Sequence, residues 1–135
     1  MYFWHGRNLE ISNITLENCC GYHHLEIVAM KSVKIDNINC RNFIKYLGDI
    51  YQKSEVTSAG DVINLVEAMQ IDYAEEENSS AAYPFDGTAC QDVSISNCKF
   101  ENCRSGIGNH HGKMKSSNLK FINNNFDNMS YSCYN

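Results

Sequence analysis

The chain has 135 residues, a formal charge of −5 and 20% charged side chains. That length suffices for one domain around one core, and the acidic balance excludes the basic surface that nucleic-acid binding needs. No segment is long and apolar enough to span a membrane, and the N-terminal MYFWHGRNLE lacks the basic-then-apolar order of a signal peptide.

The first element in chain order, Leu9–Cys19 (LEISNITLENC), aligns without a gap with three later stretches: Val33–Phe43, Val93–Cys103 and Leu119–Met129. Position one is Leu9, Val33, Val93 and Leu119, and position three is Ile11, Ile35, Ile95 and Phe121. Positions five and ten are always Asn: Asn13, Asn37, Asn97 and Asn123, then Asn18, Asn42, Asn102 and Asn128. Apolar residues at positions one and three, with a mostly polar residue between, give the two-residue period of a strand with one buried face. An Asn then interrupts, and a second short strand follows. Asn tolerates the left-handed backbone that a sharp bend requires, and stacked Asn side chains can bond to one another.

Leu9 to Val33 is 24 residues, Val93 to Leu119 is 26, and Val33 to Val93 is 60, one period plus about 36 inserted residues. Equivalent strands are thereby predicted to pair in parallel and in register. The expected architecture is an all-β right-handed parallel β-helix, a solenoid of about four turns, forming a single domain over residues 1–135. A third strand per turn is expected at His24–Val28, Ala68–Tyr73 and Gly106–His110. Leu25, Ile27, Met69, Ile71 and Ile107 would point inward, and His24, Glu26, Gln70, Asp72, Gly108 and His110 outward. Insertion loops fall at roughly 45–60 and 74–90. The second holds the acidic run Glu75–Glu77 and a turn at Tyr83–Thr88. With no cap sequence at either end, the chain reads as a piece of a longer β-helix or one covered by another chain, including a second copy of itself.

The seven cysteines, Cys19, Cys20, Cys40, Cys90, Cys98, Cys103 and Cys133, are odd in number and form no CxxC pair, which points away from zinc or redox chemistry. Cys40, Cys98 and Cys103 share alignment columns with Leu, Ile, Phe and Met, so they read as buried, reduced hydrophobes.

The repeat units, together with HHLEI (23–27), EAMQID (67–72), YPFDGT (83–88) and RSGIGNH (104–110), resemble the right-handed parallel β-helix proteins of the pectate-lyase-like superfamily, in particular its bacterial and phage members. The resemblance implies a carbohydrate partner, most often a polysaccharide in a groove along one sheet, and a secreted, cell-surface or phage-associated parent protein. The paired aspartates of the polygalacturonase type are missing. Because this fold hosts lyases, hydrolases, tailspikes and adhesins, function must be read from the site.

The third-strand sheet is the candidate surface. If Ile27 stacks on Ile71, Glu26 faces Gln70 and lies diagonal to Asp72 at roughly 7 Å, with His110 within reach. Two carboxylates on neighbouring strands suit glycoside hydrolysis, and a His beside a carboxylate suits proton abstraction from a sugar carbon. Asp72 is the principal acid–base candidate, with His110 and Glu26 assisting and Asp86 as a third acid from its turn. Gln70, His24, Arg104, Lys113, Tyr73 and Tyr83 are candidate substrate contacts: the cations for a uronate carboxylate, the tyrosines for stacking. The plainer alternatives are that Asp72 accepts a bond from adjacent loop backbone and that Glu26 is an ordinary solvated charge. The His pairs at 23–24 and 110–111 look like metal ligands, but a zinc site needs three or four converging ligands and only one member of each pair can project to each face, so no metal is expected there; calcium at Glu75–Glu77 with Asp72 is a minor alternative. Two functions stay open: a glycan-cleaving hydrolase or lyase, and a non-catalytic carbohydrate-binding or structural segment of a tailspike or surface adhesin.

Overall fold

The computed structural model describes residues 1–19, 23–43, 55–56, 62–63, 67–74, 86–103, 105–109, 115–129 and 131–134. Every regular element among them is a strand: β1 (Tyr2–Trp4), β2 (Arg7–Cys19), β3 (His23–Val28), β4 (Lys31–Phe43), β5 (Glu55–Val56), β6 (Val62–Ile63), β7 (Glu67–Asp72), β8 (Gln91–Ser96), β9 (Lys99–Glu101), β10 (Ser105–Asn109), β11 (Ser117–Ile122), β12 (Asn125–Asp127) and β13 (Tyr131–Tyr134). The short β5 and β6 pair antiparallel; the others form two parallel sheets.

In the first sheet the order is β1-β3-β7-β10-β13. In the second, β2 pairs with β4; β4 pairs with β8 and then β9 along one edge; β8 pairs with β11, and β9 with β12. The ungapped alignment of the sequence predicts this register: Leu9 lies opposite Val33, Val33 opposite Val93, and Val93 opposite Leu119. The expected division at the bend occurs in β8/β9 and β11/β12, whereas β2 and β4 run unbroken through theirs for 13 residues each.

All eight recurrent Asn residues have positive φ, from 52° to 61°. Such bends cost most residues about 1–2 kcal/mol and Asn less, because its short side chain can bond locally. Asn37 Nδ2 donates to Asn13 Oδ1 (2.7 Å), Asn102 to Asn42 (2.8 Å) and Asn128 to Asn102 (2.8 Å). Asn97 departs from the ladder and donates to Asp36 Oδ1 (2.8 Å), where Ser96 Oγ also donates (2.7 Å). The sequence reading missed a further bend column. Asn8, Ser32, Asp92 and Asn118 also have positive φ, and Asn118 Nδ2 donates to Asp92 Oδ1 (2.7 Å). Ser and Asp in that column hide it from a search for repeated Asn.

The core lies between the two sheets. Leu25, Ile27, Met69, Ile71 and Ile107 from the first sheet meet Ile35, Ile38, Val93, Ile95 and Phe100 from the second in one buried cluster. Phe100 is wholly buried and stacks on Phe126 at 5.1 Å. Cys40, Cys90, Cys98 and Cys103 are buried free thiols, with Cys19 half-buried. Burial raises the pKa values of Cys40, Cys90, Cys98 and Cys103, that of Cys90 to about 11 and that of Cys103 to about 12, so these four pack as neutral apolar groups.

Candidate functional site

The outer side of the first sheet gathers most of the described candidates. Register puts Tyr2, Glu26, Gln70 and Gly108 across four adjacent strands, and Trp4, Val28 and Asp72 across three, two residues further along. Glu26 therefore faces Gln70 and is diagonal to Asp72, as the strand periodicity predicts.

β3 does not alternate throughout. His24 and Leu25 are both buried, while His23 and Glu26 are half-buried with His23 Nε2 3.9 Å from a Glu26 carboxylate oxygen. His24 turns toward the second sheet, where its Nε2 lies 3.1 Å from the carbonyl oxygen of Arg41. Burial lowers its pKa, so the imidazole is neutral. The outward, substrate-contacting role expected for His24 is thus corrected: two consecutive inward residues displace it from the face. His23 takes the outer position instead, with Nδ1 3.5 Å from Glu67 Oε2. Strict two-residue alternation would have placed neither His23 nor Glu67 there.

Gln70 keeps its expected register but is 2% exposed, so it supports the face from below and does not present a free amide to solvent. Glu26 is half-buried among these groups, and its carboxyl is strongly perturbed. Burial, then the neighbouring Asp72 carboxylate, and further the Glu67 charge push its pKa up to about 7. Its side chain is 23% exposed, less open to solvent than the plainer alternative for Glu26 supposes. Asp72 Oδ1 accepts the backbone N–H of Tyr73 at 2.7 Å, the local bond anticipated for it. This bond anchors the carboxylate and ties Tyr73, half-buried, to the end of β7.

Asp86 reaches the same end of the sheet. Gly87 N donates to Ala74 O, and Ala74 N to Thr88 O, clamping the turn beside β7. The Asp86 carboxylate accepts the Thr88 backbone N–H (3.0 Å) and lies 3.7 Å from His5 Nε2. Bonding to Thr88 holds its pKa below the ordinary value, so it is ionised, the opposite of Glu26. Trp4 packs on Val28, Ala29 and Ala74, and its ring centroid is 5.6 Å from that of the exposed Tyr2. These two aromatics border the carboxyl group and were not anticipated. Their three-residue strand is too short to show periodicity, and only pairing with β3 brings them to the face.

His110, Arg104, Lys113, Tyr83 and the Glu75–Glu77 run lie outside the described residues. Among the described residues, the last pair of this register is Asn109 opposite Ile71. Among the described residues, no group of three or more His, Cys, Asp or Glu side chains is placed to hold a metal ion, and no helix is long and apolar enough to cross a membrane.

No family model and no solved structure matches the chain. It is similar to the plasmin and fibronectin-binding protein A of Streptococcus pneumoniae (strain ATCC BAA-255 / R6), at 30% identity over 133 residues. The alignment takes in 92% of this chain and 17% of that protein, so the chain spans about a sixth of the length of the curated relative it matches.

Proposed function

We propose that this chain is a stretch of right-handed parallel β-helix serving as a binding segment of a longer adhesive protein, and that it engages a protein ligand. The observation that carries this reading is the near end-to-end alignment with part of a relative named for binding plasmin and fibronectin. The β-helix part rests on the in-register return of the chain to the same two parallel sheets, together with the strong right-handed preference of crossovers between parallel strands. The outer side of the first sheet suits the role. Tyr2 and Trp4 supply aromatic contact area, while Glu26, Glu67, Asp72 and Asp86 give it an acidic character that favours a basic patch on the partner.

The test is surface-immobilised binding of the chain to fibronectin and to plasmin, with Tyr2→Ala and Asp86→Asn variants. Saturable binding that either substitution weakens by about tenfold, and that falls with added salt, supports the reading. Binding to neither protein overturns it.

A second reading is favoured by Glu26 alone: a polysaccharide lies along the same face and is cleaved there. With a pKa near 7, Glu26 would hold the proton for the leaving oxygen, while Asp72 would activate water from the adjacent strand. The diagonal separation, about 7–8 Å between strand positions, suits inversion. New reducing ends from any bacterial or host polysaccharide, lost in Glu26→Gln and Asp72→Asn, would establish it; turnover that survives both changes would reject it.

A further inference from the structure

Strand β1 carries a row of rings along the outer side of the first sheet. Tyr2 and Trp4, two residues apart, project to the same side, with ring centroids 5.6 Å apart and planes tilted by 54°. The His5 ring stacks with Trp4 at 6.0 Å. Trp4 packs on Val28, Ala29 and Ala74, whereas Tyr2 is 50% exposed. Register sets Glu26 directly opposite Tyr2 on the adjacent strand, and Asp86 lies beyond His5, 3.7 Å from its Nε2.

Two features define what fits there. The first is charge. Asp72 and Glu67 face Glu26 from β7, and His23 lies 3.9 Å from it on its own strand. The Met1 ammonium, bonded to the His24 carbonyl oxygen at 2.7 Å, offsets less than Asp72 adds. Burial and then this like charge hold the proton on Glu26, and an incoming cation relieves the second cause. The other feature is the exposed ring beside the carboxylate. Aromatic faces attract cations. A planar guanidinium can lie on such a ring and fork to a carboxylate at the same time, which an ammonium, a point charge, does less well. Among the described residues, no three acidic, His or Cys groups converge to hold a bare metal ion.

We infer that Tyr2, Trp4 and Glu26 form a seat for an arginine side chain of the partner protein. The inference rests on the protein-ligand reading above and names the group that the acidic face takes. The guanidinium lies on the exposed Tyr2 ring and donates to the Glu26 carboxylate. Trp4, held by Val28 and Ala74, borders the seat. Tyr2 and Glu26 stand on strands about 4.8 Å apart, a span that one guanidinium bridges. Asp86 is not part of the seat, because its carboxylate accepts the Thr88 N–H and meets His5.

Trp4 is the single tryptophan of the chain, so its fluorescence reports on the seat. The 135-residue chain is titrated at pH 8 with the peptide acetyl-Gly-Arg-Gly-amide. Two further peptides replace the arginine by citrulline, its uncharged isostere, or by lysine. The expected result is a saturable change with the arginine peptide, with Kd of about 1–10 mM. Citrulline should bind at least about tenfold more weakly and lysine about threefold more weakly. Tyr2→Ala and Glu26→Gln should each weaken arginine binding by about fivefold or more, and Asp86→Asn by less than about twofold. Because the cation competes with the proton on Glu26, binding should tighten by up to about tenfold from pH 6 to pH 8, and Glu26→Gln should lose most of that gain. Thermal midpoints are measured alongside, and Tyr2, being exposed, gives a variant that leaves the core intact. The seat is overturned if the arginine peptide gives no saturable change, if citrulline or lysine binds as tightly, or if Glu26→Gln costs no more than Asp86→Asn. Fibronectin or plasmin binding without an arginine response removes the seat and leaves the protein-ligand reading; an arginine response with binding to neither protein removes that reading and leaves the seat.

Discussion

The outer sides of the two sheets solve the same problem in opposite ways. On the second sheet, polar groups are answered by a neighbouring strand: Lys34 pairs with Glu10 at 2.9 Å, Arg41 with Glu17 at 2.8 Å, and Asn102 bonds to both Asn42 and Asn128. On the first, Glu26, Glu67 and Asp72 bring like charges onto adjacent strands, and Glu26 responds by holding its proton up to about pH 7. Parallel in-register stacking puts like beside like. Amides gain from that arrangement because each both donates and accepts; carboxylates lose. The outer side of the second sheet is therefore largely self-matched, and the first is a surface whose composition its own stability does not explain.

The largest expected effect separates the shared core from either face. Phe100→Ala should destabilise the chain by about 3–5 kcal/mol, because it empties the wholly buried stack with Phe126. Urea denaturation measures it, and a loss below about 1 kcal/mol would mean that the sheets do not share this core.

Next comes the strain on the first sheet. The folded pKa of Glu26 lies above its ordinary 4.5, so the folded chain holds an extra proton between pH 4.5 and about 7. Its contribution to stability is complete below pH 4.5, declines as pH rises, and is lost above about 7. Glu26→Gln should therefore stabilise the chain at pH 8 by about 2–3 kcal/mol and flatten the decline between pH 5 and 7.5. Thermal melts across pH give the answer; identical pH profiles for variant and parent would remove the contrast between the two faces.

On the second sheet, Asn37→Ala should cost about 2 kcal/mol, the left-handed backbone and the bond to Asn13 together. Asn37→Gly keeps the backbone freedom and should cost about half as much. Equal losses would assign the whole effect to the ladder. The smallest effect is expected at Arg41→Ala, about 0.5 kcal/mol or less, since its ion pair with Glu17 stands in solvent. A much larger loss would show that this exposed pair is structural.

Some misses in the sequence reading had a common origin. The alignment predicted strand register because a one-residue slip would turn every core side chain outward. It therefore located Glu26 opposite Gln70 and diagonal to Asp72. It misplaced His24 and missed Glu67 because two inward residues in succession break the alternation. It missed Tyr2 and Trp4 because three residues carry no period.

The sequence by itself determined the all-β class, the parallel pairing of equivalent strands and the two Asn columns of bends, since these follow from local backbone preference and a hydrophobic period. Only the tertiary structure decided which carboxyl keeps its proton, which histidine faces outward and where the ladder yields to Asp36. Those properties depend on burial and on neighbours 17 or more residues away.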